Sequence, residues 1–103
     1  MKQVMAPPNI DADFAMIYKG NGMIIERIFD GDIVYIKQQD ELIAGEMTVV
    51  RYNEKVIMGR VRFGPGCIVL ESSNPVYDPF IIEEGNMENV DVLGKTVAFT
   101  GRI

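Results

Sequence analysis

The chain carries few side chains that could act as nucleophiles, bases or metal ligands. It has no histidine and a single cysteine, Cys67, among its 103 residues. The lack of histidine excludes Ser-His pairs, Cys-His pairs and histidine-containing metal sites, and a single cysteine excludes an intrachain disulfide and a cysteine-rich zinc site. Cys67 lies in an apolar stretch with no neighbouring cation in the sequence. This setting favours a buried, unreactive thiol.

Two further sequences could in principle do chemistry, but each is typical of a turn. The only serines, Ser72 and Ser73, stand before an Asn-Pro pair, and this composition predicts a polar turn rather than a nucleophile. Gly20 and Gly22 begin a sequence like a phosphate-binding loop, but position 25 is Ile25 instead of the third glycine. An isolated Gly-x-Gly of this kind indicates a tight turn.

The carboxylates also lack the spacing of a metal site. Asp11 with Asp13, and Asp30 with Asp32, do not continue into a calcium-loop pattern, and Asp-Gly-Asp is common in turns. We therefore predict no metal and no cofactor. A further set of carboxylates near the C-terminus predicts a solvated acidic face; its members are Glu83, Glu84, Glu88 and Asp91.

Composition and charge indicate one globular domain. The mass is 11.5 kDa, with 48% apolar and 24% charged residues, which matches the usual size and composition of one domain. Fifteen acidic against ten basic residues give a net charge of −5, so we expect no general attraction to nucleic acid or to an anionic membrane. No apolar run approaches the roughly 20 residues that span a bilayer, and no signal peptide is evident. One free thiol without an export signal favours the cytoplasm.

The N-terminal end predicts an extended arm. Pro7 and Pro8 each restrict the preceding residue to extended conformations. We therefore interpret residues 1–9 as a linker arm and residues 10–103 as the domain. The arm suggests that the chain is the C-terminal part of a longer protein.

Alternating apolar residues with period two dominate the rest of the chain, which favours strands. Glycine, proline and asparagine punctuate these stretches every 8–12 residues or so, as in all-β barrels and sandwiches. Residues 23–28 could form at most one or two helical turns, and residues 84–89 a polar turn. The predicted strands are 14–19, 33–37, 47–52, 55–63, 67–71, 80–83 and 90–99, the last bent at Gly94.

Five short motifs in this order resemble the C-terminal domain of LexA-like repressors, over about residues 10–103. They are a strand followed by Lys19-Gly20-Asn21-Gly22-Met23, Asp30-Gly31-Asp32 before an apolar strand, Gly45-Glu46, the Asn74-Pro75 to Tyr77-Asp78-Pro79 segment, and Leu93-Gly94-Lys95 in the last strand. The resemblance implies a small LexA/signal-peptidase-like, partly closed β-barrel of short, mostly antiparallel strands. It also implies a protein that requires no cofactor.

The family is known for self-cleavage by a Ser-Lys dyad, in which a neutral lysine is the general base and no histidine is needed. By this resemblance the serine position is Gly22 and the lysine position is Gly59, 37 residues later, as in the family. Residues 1–21 also lack the Ala-Gly or Cys-Gly bond that family members cut. Lys55 does not replace the missing base, because it lies four residues from Gly59, roughly 13 Å along a strand. Thr48 carries a hydroxyl group, but nothing in the sequence places it at the Gly22 turn. The resemblance therefore implies a protein that is not an active peptidase.

Three functions remain open at this point. The first is the dimerisation and regulatory domain of a LexA-like or prophage-type transcriptional repressor that has lost self-cleavage. Such a repressor would bind DNA only through an N-terminal helix-turn-helix domain absent from this sequence, and would answer to an antirepressor or, as in the SOS response, to a RecA-like inducer. The second is a UmuD-like polymerase accessory subunit. The third is an engineered, inactive form of a self-cleaving LexA-like protein.

The end of the chain predicts a dimer interface. Its alternating residues resemble an edge strand, which a symmetric copy could extend. LexA-like domains are similar in dimerising through their C-terminal region. The interface residues predicted on this basis are Val97, Phe99, Thr100, Gly101 and Ile103.

Overall fold

The computed structural model describes residues 2–20, 23 and 27–100, and shows eight strands in one antiparallel sheet. The order of strands across the sheet is β1-β2-β3-β8-β4-β5-β6-β7. The sheet curls into a partly closed barrel, which confirms the predicted all-β fold class. The strands are β1 (Lys2–Val4), β2 (Phe14–Ile17), β3 (Ile33–Lys37), β4 (Met47–Tyr52), β5 (Lys55–Gly64), β6 (Cys67–Glu71), β7 (Phe80–Glu83) and β8 (Val90–Thr100).

Most predicted strands are confirmed to within two residues at each end. The short turn between β4 and β5 consists of Asn53 and Glu54, both with positive φ, at 49° and 69°. Two such residues form the loop that best matches the twist of a hairpin. Between β7 and β8, Glu84–Asn89 forms a 3₁₀ helix, where we expected an irregular polar turn. Within the arm, β1 was not predicted, because three residues before two prolines carry almost no periodic signal. Residues 24–26 of the predicted helical turns at 23–28 lie outside the described residues.

Each face of the sheet carries its own apolar cluster, and β4 contributes to both. Val49 and Val50 are fully buried neighbours that point to opposite faces. Val49 packs in a cluster with Met16 and Val34, whereas Val50 packs with other apolar side chains from β5, β6 and β7. Burial on both faces explains why β4 is apolar almost continuously instead of strictly alternating.

The last strand exchanges partners along its length, and Gly94 lies at the exchange. β8 pairs with β4 from Val90 to Lys95 and with β3 from Lys95 to Thr100. Gly94 has a φ of 152°, and a Cβ built there would lie 2.3 Å from the carbonyl oxygen of Lys37. Glycine is therefore required where three strands meet. No helix in the described part of the chain is long and apolar enough to cross a membrane.

Candidate functional site

The loop that includes the predicted serine position is closed by backbone hydrogen bonds. Tyr18 N donates to Asp32 O, and Gly31 N donates to Tyr18 O, both at 2.8 Å. The two aspartates of the Asp-Gly-Asp turn also act locally, since Asp30 Oδ1 accepts from Gly20 N at 2.9 Å and Asp32 Oδ2 accepts from Phe29 N at 2.8 Å. These carboxylates stabilise the turn, as their sequence predicted. Gly22 itself lies outside the described residues.

A cleft of about 360 Å³ lies between this loop, the first half of β5 and the segment after β6. We refer to it as the cleft. Its walls combine aromatic, aliphatic and hydroxyl side chains. Six of its lining residues are Tyr18, Gly20, Val56, Met58, Ser72 and Phe80. Sequence reasoning found the motif positions beside the cleft but not Tyr18 or Phe80, because neither residue belongs to a spacing with chemical meaning.

Gly59, the predicted lysine position, is buried in the middle of β5, opposite Thr48 of β4. A Cβ built on Gly59 would lie 2.9 Å from the Cβ of Leu70 and 3.0 Å from its carbonyl carbon. Real Cβ atoms do not approach other atoms so closely, so β6 occupies the space that a side chain would need. The close approach of β6 explains a glycine in mid-strand, which otherwise weakens a strand.

The two groups considered as replacements, Thr48 and Lys55, lie on β4 and β5 away from the predicted lysine position itself. The Thr48 side chain is fully buried, and its Oγ1 lies 3.5 Å from the carbonyl oxygen of Glu46. Lys55 begins β5, and its Nζ lies 6.0 Å from the centroid of the Phe80 ring. A base must lie within hydrogen-bonding reach of its nucleophile. Lys55 lies four residues along β5 from Gly59 and lines the cleft together with Gly20.

The serines form the turn that their sequence predicted. Ser72 Oγ accepts from Asn74 N at 3.1 Å, and Asn74 Oδ1 accepts from Val76 N at 3.0 Å. These hydrogen bonds are typical of turns built on serine and asparagine. Cys67 is a free thiol of intermediate exposure, so it is less buried than its apolar surroundings predicted.

Asp11 and Asp13, the other aspartates considered as a metal pair, are engaged by Lys37 and by the backbone amide of Gln38. Lys37 Nζ lies 3.1 Å from Asp11 and 3.9 Å from Asp13. The hydrogen bond from Lys37 to Asp11, with the charges of both aspartates, raises the pKa of the lysine. Residues 2–20, 23 and 27–100 contain no group of three or more cysteine and acidic side chains able to hold a metal.

Glu46, from the Gly-Glu motif, joins the loop before β4 to the last strand. Its Oε1 accepts from Gln39 Nε2 at 2.9 Å, and its Oε2 lies 3.4 Å from Lys95 Nζ. The hydrogen bond from Gln39 is the main cause that lowers the pKa of Glu46, and Lys95 adds to it. Arg60, next to Gly59, donates from its guanidinium to the carbonyl oxygen of Gly45 at 2.6 Å. Both contacts are structural and lie outside the cleft.

The predicted dimer residues in the described part of the chain lie at the end of β8. Val97 and Phe99 are each 42% exposed, and Thr100 donates from Oγ1 to the Tyr35 hydroxyl at 3.0 Å. Gly101 and Ile103 lie outside the described residues.

The expectation of a terminal edge strand needs correction, because β8 lies between β3 and β4 in the sheet. The pairing with β4 ends at Lys95, however. Among the described residues, no strand pairs with the second side of β8 beyond Lys95. A cavity of about 220 Å³ adjoins this free side, and Met47 and Phe99 are among its lining residues. Residues 96–100 therefore form an edge of the sheet on one side only, and we refer to them as the half-strand edge. This edge arises because β8 exchanges partners.

The chain is similar to known proteins over most of its length. A family model described as Peptidase S24-like matches residues 2–97. The LexA repressor of Dechloromonas aromatica (strain RCB) is 33% identical over 72 residues, which are 70% of this chain and 36% of that protein. The chain thus spans 36%, or about a third, of the length of this curated relative.

Proposed function

The chain belongs to the Peptidase S24-like family, and we propose that it is the dimerisation and regulatory domain of a repressor that does not cleave itself. The repressor would be of the LexA-like or prophage type and act in the cytoplasm. It would bind DNA through a separate N-terminal domain. The observation that carries this proposal is Gly59, because β6 fills the space that a side chain at this position would need. The net charge of −5 agrees with a domain that does not itself touch DNA.

Loss of the base has a direct consequence for catalysis. A serine nucleophile is weak at its free pKa and needs an adjacent base to remove its proton. Glycine at both family positions supplies neither group, and loss of one member of such a unit already removes most of the rate. Derepression would then need another trigger, for which an antirepressor or a RecA-like inducer is the proposed partner.

We expect the purified chain to keep its mass at alkaline pH, where a lysine base becomes neutral and self-cleaving relatives react. Intact mass spectrometry over several days at about pH 10, close to the ordinary lysine pKa, tests this. A self-cleaving LexA-like domain, incubated in parallel, shows that the conditions permit cleavage. A specific cut in this chain, or specific cleavage of a family cleavage segment added in trans, would refute the assignment of Gly22 and Gly59.

We also propose that the half-strand edge of β8 pairs with the same edge of a second copy. A two-fold axis would place the two edges antiparallel, so that each supplies the backbone partners that the other lacks. Val97 and Phe99 are large apolar side chains beside this edge, each 42% exposed. Pairing would cover them as well as the backbone. A dimer would hold two N-terminal DNA-binding domains together and raise their joint affinity for two half-sites.

We expect Val97→Glu to convert a dimer into a folded monomer. In a symmetric dimer the substitution places two negative charges close together, which weakens association by at least about tenfold. Sedimentation equilibrium measures the change, with Val76→Glu as the matched control, because Val76 is 83% exposed in the turn between β6 and β7 and does not belong to β8. A native chain that remains monomeric at hundreds of micromolar, or a Val97→Glu variant that still dimerises as tightly, contradicts the proposed interface.

A further inference from the structure

An apolar groove lies on the face of the sheet that carries the Val50 cluster. No residue lines both this groove and the cleft. The groove consists of two adjoining cavities of about 430 and 350 Å³, which share Phe63, Ile68 and Met87. We refer to the two cavities together as the Phe63 groove. It runs from the turn between β5 and β6, past the 3₁₀ helix, to the loop before β4.

The floor of the Phe63 groove combines the buried core residue Ile68 with apolar side chains that the domain only partly covers. Phe63, one of five phenylalanines in the chain, is 51% exposed. Leu42, Met87 and Val90 are partly buried and pack on the core cluster of this face. One exposed aromatic ring beside partly covered apolar side chains, with a polar rim, fits an interaction site.

The rim of the Phe63 groove carries one sign of charge. Asp40 and Glu41 line one end and Glu84 lines the other, and all three are exposed. No lysine or arginine lines either cavity. In the part of the chain that the structure describes, none of the three carboxylates forms an ion pair. An apolar floor between unpaired carboxylates selects a ligand that is apolar in the middle and positive at its flanks.

We propose that the Phe63 groove docks a basic segment of a partner protein, with apolar side chains on the floor and lysine or arginine at the rim. A second copy of this chain is a poor occupant, because its groove would bring the same three carboxylates against their counterparts. Nucleic acids and anionic lipids are repelled for the same reason. The groove does not adjoin the β8 edge, so a docked segment leaves the proposed dimer intact. This proposal does not depend on the loss of self-cleavage.

A pair of synthetic peptides tests the proposal with the intact chain. The first is a short labelled peptide with leucine at one face of a helical repeat and lysine elsewhere, and the second carries glutamate in place of each lysine. Fluorescence anisotropy should show binding of the lysine peptide only. The affinity should fall at least about tenfold between about 50 and 500 mM salt, because exposed charges are screened. Amide shifts in an NMR titration should centre on Phe63, Ile68 and Met87.

Substitutions in the groove separate its two features. Phe63→Ser removes the main apolar contact, and Glu41→Lys or Glu84→Lys reverses one rim charge. Each should weaken binding of the lysine peptide several-fold, whereas Asp78→Lys, an equal charge change beside the cleft, should have much less effect. Circular dichroism checks that each variant is folded. Equal binding of both peptides, unchanged binding by the groove variants, shifts centred on the cleft, or no binding at millimolar peptide would each overturn the proposal.

Discussion

Gly94→Ala should be among the most destabilising single-methyl changes in this protein. The new Cβ would lie 2.3 Å from the carbonyl oxygen of Lys37 and 2.7 Å from Cγ2 of Ile36. The φ of 152° also disfavours any residue with a side chain. The clash is with the backbone of β3, so relief requires the two strands to separate where β8 changes partners. We expect a loss of about 3–5 kcal/mol in the free energy of unfolding, a large part of the stability of a small domain.

Urea denaturation followed by circular dichroism measures this loss. Gly85→Ala is the matched control, because a Cβ at Gly85 meets no atom within 4 Å and its φ is not in the left-handed region. The control should change stability by less than about 0.5 kcal/mol. A Gly94→Ala variant within about 1 kcal/mol of the native chain, on the usual scale of point substitutions, would show that β3 and β8 do not meet as closely as described.

The strands could be predicted from sequence because the residues of each one show the periodicity of a strand. Cys67–Glu71 and Phe80–Glu83 have the predicted bounds, since polar turns with proline, glycine or asparagine delimit them. The partner exchange of β8 could not be predicted in this way. Gly94 predicted a bend, but which strands meet there depends on the path of the whole sheet. The wrong prediction of a terminal edge strand has the same cause. Only the order of strands in the sheet shows that β8 is paired on both sides along its first half and on one side along its second half.

A motif can assign candidate site positions by its register, whereas a surface built from several segments has no such motif. By resemblance to the family, the offset of 37 residues assigns Gly22 and Gly59 from sequence alone. The reason why position 59 carries no side chain is a contact with Leu70 on the next strand. The Phe63 groove has no motif at all. Asp40 and Glu84 are separated by more than 40 residues, and only the fold places both carboxylates on one rim. For this reason the sequence pattern of 83–91 predicted no more than a solvated acidic face.

Gly59→Lys, which introduces the residue that the resemblance assigns to this position, should destabilise the domain instead of preparing it for catalysis. Leu70 and the carbonyl oxygen of Glu71, which would lie 3.2 Å from the new Cβ, leave no room unless β6 shifts. Overpacking of this kind costs about 1–3 kcal/mol, and partial burial of an amine adds to it. We expect a total loss of about 2–4 kcal/mol at pH 7 by urea denaturation.

The pH dependence of that loss separates steric strain from the burial of charge. Burial lowers the pKa of a lysine, so at high pH the folded state releases a proton that the unfolded chain still holds. Stability then rises with pH between the two pKa values. The Gly59→Lys variant should therefore recover part of its loss between about pH 8 and pH 10, approaching the ordinary lysine pKa. Gly59→Met, of similar length and without charge, should lose stability by a similar steric amount but recover none of it relative to the native chain. A lysine tolerated within about 0.5 kcal/mol would mean that β6 yields at this position. The proposed loss of self-cleavage would then rest on residue identity alone, and not on a closed site.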